Sequence, residues 1–169
     1  MNFIPLISQQ HNNAETIRSL TKGVSNEQAR WKPGPDSWSI LEVVNHLYDE
    51  EREDFRIRLD YILNRPGEIP PEIDPQGWVS SRRYNERDLA ESIDKFTEER
   101  HESLHWLGDL IPFDPDATSE LPFGTFRAGD MFAAWVTHDL LHLRQLVELH
   151  YLYTRSSLAP QDVSYAGEW

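Results

Sequence analysis

The side chains best suited to chemistry in this sequence are histidines. Seven are present, and two pairs are spaced four residues apart, His101 with His105 and His138 with His142. Residues at i and i+4 share one face of an α-helix, so either pair could hold a divalent cation. Imidazole is the usual nitrogen ligand of zinc, nickel and copper. The spacing is the same in both pairs, so only their position relative to the apolar residues distinguishes them.

The His101/His105 pair lies to one side of the apolar stripe of its predicted helix, next to Glu98 and Glu102. The pattern resembles the Glu-x-x-His element of di-iron bundles, but such a site needs that element on two helices. Here both copies overlap on one helix. We therefore interpret this pair as part of a solvated flank and do not expect a ferritin-like di-iron centre.

The second pair lies in the middle of an apolar face. His138, His142 and Gln145 share that face with six apolar residues: Met131, Ala134, Trp135, Leu141, Leu149 and Leu152. Polar side chains in such a stripe are unfavourable unless each has a partner. A divalent metal would supply that partner, and so would a buried hydrogen-bond network. The pattern leaves both explanations open.

A metal site needs at least one further ligand from another helix. His46 is the best candidate, because it lies beside the apolar face of Val43 and Leu47. Glu50 follows one turn later on the same side. It could orient His46, act as a base on a bound water, or be a simple surface carboxylate.

Four predicted helices must position these side chains. Hydrophobic periodicity places them at residues 5–22, 39–64, 86–110 and 128–153. Ser39 and Glu42 match a capping box at the start of the second helix. The proline-rich connection over residues 65–85 predicts a crossover, so its flanking helices need not be antiparallel. No segment has a good strand alternation, so we expect a single all-α domain over residues 1–169.

Composition restricts the function. The 169 residues contain no cysteine and have a formal charge of −13. Thiolate metal sites and a cysteine nucleophile are excluded, and nucleic acid and anionic membranes are poor partners. The N-terminus lacks the pattern of a signal peptide, and no apolar run approaches the ~20 residues that span a bilayer. We expect a cytoplasmic protein that acts on a small molecule.

The predicted last helix has a second apolar line. It consists of Phe132, Val136, Leu140, Leu143 and Val147. A helix that is apolar on two faces is usually covered on both. Together with the six tryptophans, this line predicts a symmetric homodimer.

Three segments resemble the DinB-like superfamily of metal-binding four-helix bundles. Residues 38–47 (WSILEVVNHL) are similar to its second-helix signature, and residues 138–145 (HDLLHLRQ), preceded by residues 123–126 (FGTF), to its last-helix segment. Residues 165–169 (YAGEW) resemble the tails of some members. The three segments occur in the order and at the separation typical of the family.

The resemblance implies an up-down-down-up bundle with a long crossover between the second and third helices. It also implies a divalent metal held by His46, His138 and His142, and members are commonly dimers. Zinc and nickel are the leading candidates, with iron and manganese as further ones. Characterised relatives include low-molecular-weight thiol transferases, a mycothiol-dependent isomerase and domains of thiol-histidine biosynthesis enzymes.

Three functions follow as hypotheses. Because three neutral imidazoles leave a metal at least one open position, the first is a metal-dependent transferase that activates a low-molecular-weight thiol. The second is a metal-dependent hydrolase with Glu50 as the base on bound water, and the third is a non-catalytic binding or regulatory bundle. Four arginines are possible partners for carboxylates of a thiol cosubstrate, although surface charge balance is the simpler explanation: Arg52, Arg56, Arg82 and Arg83.

Overall fold

The computed structural model describes residues 2–121 and 124–167. Its helices are α1 (Phe3–Thr21), α2 (Asn26–Arg30), α3 (Ile40–Glu50), α4 (Arg56–Asn64), α5 (Pro75–Ser81), α6 (Leu89–Leu110) and α7 (Ala128–Ser157). A π-helical segment, Glu51–Phe55, joins α3 to α4, and 3-10 turns span Tyr84–Glu86 and Ser164–Ala166. Strands β1 (Thr118–Leu121) and β2 (Gly124–Arg127) form an antiparallel hairpin before α7.

Four long helices form the bundle: α1, the continuous α3–α4 helix, α6 and α7. Helices α1 and α7 are parallel, because Phe3 packs on Phe132 at their N-terminal ends and the Leu20 carbonyl accepts from His150 near their C-terminal ends. Because His101 stacks on His11 while Asp94 pairs with Arg18, α6 runs antiparallel to α1.

The α3–α4 helix runs parallel to α6. Asn45 donates to Ser92 of α6. Further along the same helix, Arg56 donates to Ser103, which also lies further along α6. It runs antiparallel to α7, because His46 contacts His142 and the later Phe55 stacks on the earlier Trp135. The order is therefore up-down-down-up with a crossover between α4 and α6, and the predicted fold is confirmed.

The capping box at the start of α3 has both of its predicted hydrogen bonds. The Ser39 hydroxyl accepts from the Glu42 backbone N–H at 3.1 Å, and the Glu42 carboxylate accepts from the Ser39 backbone N–H at 2.8 Å. This pair satisfies two backbone N–H donors at the helix end, and α3 begins six residues before His46.

Two apolar clusters fill the bundle, and a buried polar layer separates them. One cluster includes Val43, Leu47, Phe96 and Leu146, and the other is built around Leu59, Leu107, Phe132 and Trp135. The polar layer contains residues from all four long helices: Gln10, Asn13, His46, Glu51, Arg100, Asp139 and His142. Two of the three candidate ligands, His46 and His142, belong to this layer.

Short elements in the connections escaped the sequence-based prediction. Three of them are too short to show a periodic apolar pattern: helices α2 and α5 and the β1–β2 hairpin. The π segment was missed because the apolar pattern of the predicted second helix continues through it. Phe123, Glu168 and Trp169, which contribute to the family resemblance, lie outside the described residues.

In the second apolar line of α7, Phe132 and Val136 are buried whereas Leu140 and Val147 are exposed. Among the described residues, no helix combines the length and apolarity needed to cross a bilayer.

Candidate metal centre

The three histidines chosen from the sequence meet in the structure. His46 projects from α3 toward α7, where His138 and His142 share one face. The Nε2 atom of His138 lies 3.4 Å from Nε2 of His46 and 3.1 Å from Nε2 of His142. One ligand atom from each ring falls within 4.8 Å of the others. Helices α3 and α7 are distant in sequence, so this convergence is a property of the bundle.

The spacing of the three nitrogens fits a single cation. Zinc–imidazole bonds of about 2.0–2.1 Å in tetrahedral geometry place two ligand nitrogens about 3.3 Å apart. The two Nε2–Nε2 distances, 3.1 and 3.4 Å, bracket that value. The same spacing suits other divalent metals that bind imidazole, so it does not distinguish among them.

Burial favours the neutral form of all three rings, which is the form that binds a metal. Burial, together with the neighbouring imidazoles, lowers the pKa of His46 to about 2 and that of His138 to about 4. Burial also lowers the pKa of His142. Neutral imidazoles keep a lone pair available for a cation, whereas protonated ones would repel both each other and the metal.

Gln145 determines which nitrogen of His142 is free. Its Oε1 atom lies 2.8 Å from Nδ1 of His142. An amide oxygen can only accept, so Nδ1 of His142 carries the proton and Nε2 keeps its lone pair toward the other rings. The sequence placed Gln145 on the histidine face, and the structure identifies its partner.

Glu50 is buried, with 5% of its surface exposed, so a role as a surface carboxylate is excluded. Its Oε1 atom lies 3.9 Å from Nδ1 of His46, and neither atom has a hydrogen-bond partner among the described residues. Burial, together with the charge and hydrogen bond of Asp54, raises the pKa of Glu50 to about 8. A cation bound beside His46 would favour the ionised carboxylate.

The histidines line an open cleft of 710 Å³. The indole of Trp38 covers them, with its ring centroid 4.8 Å from that of His46 and its plane within 3° of the His142 ring. Leu141 and Leu149 form an apolar wall, and Glu50 also lines the cleft. The cleft has room for a small molecule with an apolar part next to the three nitrogens.

The four arginines selected from the sequence do not line this cleft. Each forms an ion pair with an acidic side chain of this chain: Arg52 and Arg82 with Asp49 and Glu53, Arg56 with Glu99, and Arg83 with Glu86. The explanation by charge balance therefore accounts for them. Arg144, which the sequence pattern did not single out, does line the cleft and has no ion pair within the described part of the chain.

The other histidine pair, His101 and His105, is exposed on α6, as its position beside the apolar stripe predicted. Within residues 2–121 and 124–167, His46, His138 and His142 are the single group of three or more histidines or carboxylates with metal-ligand spacing.

Two features near the centre were missed. One is the π-helical turn directly after Glu50. The other is Arg100, which is 1% exposed and binds Glu51 and Asp139. A signal for Arg100 was present, because it continues the α6 stripe formed by Ile93, Phe96 and Leu107.

Comparison with known proteins agrees with the fold and with the resemblance in sequence. The solved structure of YfiT from Bacillus subtilis, described as an unusual four-helix bundle, matches with a TM-score of 0.75 at 16% identity. The match covers 86% of this chain and 83% of YfiT. No curated protein matches this sequence. A family model described as the DinB superfamily matches residues 9–146, which is most of the chain. The chain therefore belongs to the DinB superfamily.

Proposed function

We propose that this protein is a divalent-metal-dependent enzyme that activates a low-molecular-weight thiol for transfer to a small electrophile. The observation that supports this proposal best is the convergence of three imidazole Nε2 atoms, with separations of 3.1 and 3.4 Å, in an open cleft. A divalent cation there supplies a Lewis acid that lowers the pKa of a coordinated thiol or water.

The chain's own residues supply the remaining parts of such a site. His46, His138 and His142 would hold the cation, and Gln145 orients the His142 ring. The chain has no cysteine, so the sulfur nucleophile comes from a cosubstrate. Arg144, unpaired among the described residues and exposed beside the cleft, suits a carboxylate of that cosubstrate.

The transfer itself is a substitution at carbon. The sulfur forms a bond to the electrophilic carbon, and the leaving group departs with its bonding electron pair. The thiol proton passes to a base or to solvent. The apolar wall of Leu141 and Leu149 would hold the carbon skeleton of the electrophile away from water.

A metal-dependent hydrolase is the second candidate, supported by the buried carboxyl of Glu50 in the same cleft. YfiT is described as a probable metal-dependent hydrolase, which agrees with this alternative. In a hydrolase, Glu50 would accept the proton of the attacking water.

The two candidates are separated by one experiment. Protein loaded with zinc, nickel, manganese or iron is supplied with bacillithiol, mycothiol or glutathione and an electrophile, and separately with esters and amides in the absence of thiol. Thiol-dependent turnover supports the transferase, and turnover without thiol supports the hydrolase. Stoichiometric metal without either activity contradicts both. The absence of metal after reconstitution leaves the third hypothesis, a non-catalytic bundle. The homodimer and the cytoplasmic location stay predictions of the sequence.

A further inference from the structure

A buried ion-pair network lies behind the three histidines. Arg100 of α6 is 1% exposed, and all of its donors are used. Nε and Nη2 donate to the two oxygens of Glu51, both at 2.8 Å. Nη1 and Nη2 donate to the two oxygens of Asp139 at 2.8 and 2.9 Å, and Nη1 also donates to the Gln10 carbonyl at 3.0 Å. One guanidinium thus holds two carboxylates from different helices.

Both carboxylates are adjacent to residues of the metal centre. Glu51 begins the π-helical segment, directly after Glu50 and five residues after His46. Asp139 directly follows His138 on α7. Arg100 therefore connects the helix of His46 to the helix of the other two ligands, through a third helix that supplies no ligand.

Further contacts fix the same two carboxylates. Trp135 of α7 donates from Nε1 to Glu51 at 2.9 Å, which is a second connection between α7 and the His46 helix. Asn13 of α1 donates to Asp139 at 3.2 Å, so all four long helices meet at this network. Glu51 directly follows Glu50, and consecutive helical residues point about 100° apart, so Glu51 can face Arg100 while Glu50 faces the cleft.

Stability alone does not explain such a network. A buried ion pair is often no more stabilising than well-packed apolar residues of the same volume, because both charges lose their hydration. Its directional hydrogen bonds instead restrict how the helices can slide and rotate. A metal centre needs that restriction, since a shift of about 1 Å removes a ligand from a bond of about 2 Å.

We propose that Arg100, Glu51 and Asp139 are positioning residues for the metal centre. The network holds the α3–α4 helix against α7 so that His46 lies at ligand distance from His138 and His142 before a cation binds. This inference rests on the three-histidine metal site of the proposed function, but not on which reaction the site catalyses.

The test uses the Co²⁺ ion as probe and the near-isosteric variants Glu51→Gln and Asp139→Asn. Co²⁺ affinity is measured by competition with a chelator, and the ligand geometry by the visible absorption of bound Co²⁺. Thermal unfolding of the metal-free proteins shows whether each variant folds. Glu99→Gln is the matched control, because Glu99 also joins α6 to the α3–α4 helix, through Arg56, but has no hydrogen bond or ion pair with α7 among the described residues.

We expect Glu51→Gln and Asp139→Asn to fold, to bind Co²⁺ about 10–100-fold more weakly, as for partners that orient metal ligands, and to have an altered Co²⁺ absorption spectrum. Glu99→Gln should keep the wild-type affinity and spectrum. In the His46→Ala background, Glu51→Gln should cause no further loss of Co²⁺ affinity, because the network acts through the position of His46.

Arg100→Lys, which keeps the charge but not the fork of donors, should also weaken Co²⁺ binding, and it provides the same test if Glu51→Gln does not fold. Folded variants that bind Co²⁺ with wild-type affinity and spectrum would overturn the positioning role. An equal loss in the His46→Ala background would overturn it too, since the effect would then be general. Failure of the wild-type protein to bind Co²⁺ would instead overturn the metal site itself.

Discussion

Gln145 accepts a hydrogen bond of 2.8 Å from Nδ1 of His142, three residues before it on α7. The two residues lie on adjacent turns of one helix, so the contact forms without help from the rest of the bundle. The bond fixes the tautomer of His142 and directs its Nε2 lone pair toward the rings of His46 and His138. Gln145 is therefore placed to orient the His142 ring rather than to bind a cation itself.

Gln145→Leu removes that acceptor and should weaken divalent-metal binding about 10–100-fold. Gln145→Glu keeps an acceptor at the same position, so it should retain wild-type affinity. Chelator competition with Zn²⁺ measures both. If Gln145→Leu binds Zn²⁺ as tightly as the wild type, the hydrogen bond does not determine the tautomer.

His46→Ala should remove the third ligand. Because loss of a residue that only orients a ligand costs about 10–100-fold, loss of a ligand itself should lower the affinity by more than about 100-fold. His101→Ala, from the exposed pair on α6, should bind metal as the wild type does. Elemental analysis after dialysis gives the metal content of both proteins. Equal metal content in the two variants would contradict the assignment of His46.

Glu50→Gln should distinguish the two candidate reactions. A positioned general base contributes about 10²–10⁴-fold, so a hydrolase that uses Glu50 should lose at least about 100-fold in kcat. Thiol transfer should change less, because a thiol ionises more readily than water does. Rates with and without thiol are compared at saturating metal. A larger loss in thiol transfer than in hydrolysis would contradict this expectation.

Arg144→Ala should raise the KM for a carboxylate-bearing thiol about tenfold and leave kcat little changed, because one charge-assisted hydrogen bond to the bound cosubstrate is lost. Arg83→Ala is the control, since Arg83 pairs with Glu86 on the surface. Steady-state kinetics with varied thiol concentration provide the measurement. An unchanged KM in Arg144→Ala would exclude Arg144 from cosubstrate binding.

Glu53→Gln should reduce the decrease in the free energy of unfolding that the wild type shows as the pH falls. The hydrogen bond from Arg82 lowers the pKa of Glu53 in the folded state. The stabilisation is therefore present above the unfolded pKa, near 4.5, and is lost as the pH falls through the folded pKa. The pair is partly exposed, so its contribution is about 0.5–1 kcal/mol.

Urea unfolding between pH 7 and pH 3 measures this contribution. The wild type should lose that extra free energy of unfolding below pH 4.5, and Glu53→Gln should not. Glu72→Gln, at an exposed position in the crossover, should follow the wild-type curve. A steeper acid loss in Glu53→Gln than in the wild type would have the wrong sign for this ion pair.

The sequence by itself determined where the four long helices lie and which face of each helix is apolar. Apolar periodicity is local, so it located the four long helices and placed His138, His142 and Gln145 within one apolar face. Ser39 and Glu42 set the start of α3 through bonds within a single turn. The same local reasoning separated the exposed His101/His105 pair from the pair in the site.

The tertiary structure decided which faces meet. His46 meets His138 and His142 only because the crossover makes the α3–α4 helix antiparallel to α7 at matching height. Arg100 lies on the apolar stripe of α6, but only the bundle shows that it is buried between two carboxylates, and only the bundle places Arg144 at the cleft. The physical reason is that the partners of a side chain across the bundle depend on the rotation and height of each helix. Contacts between residues far apart in the chain determine both.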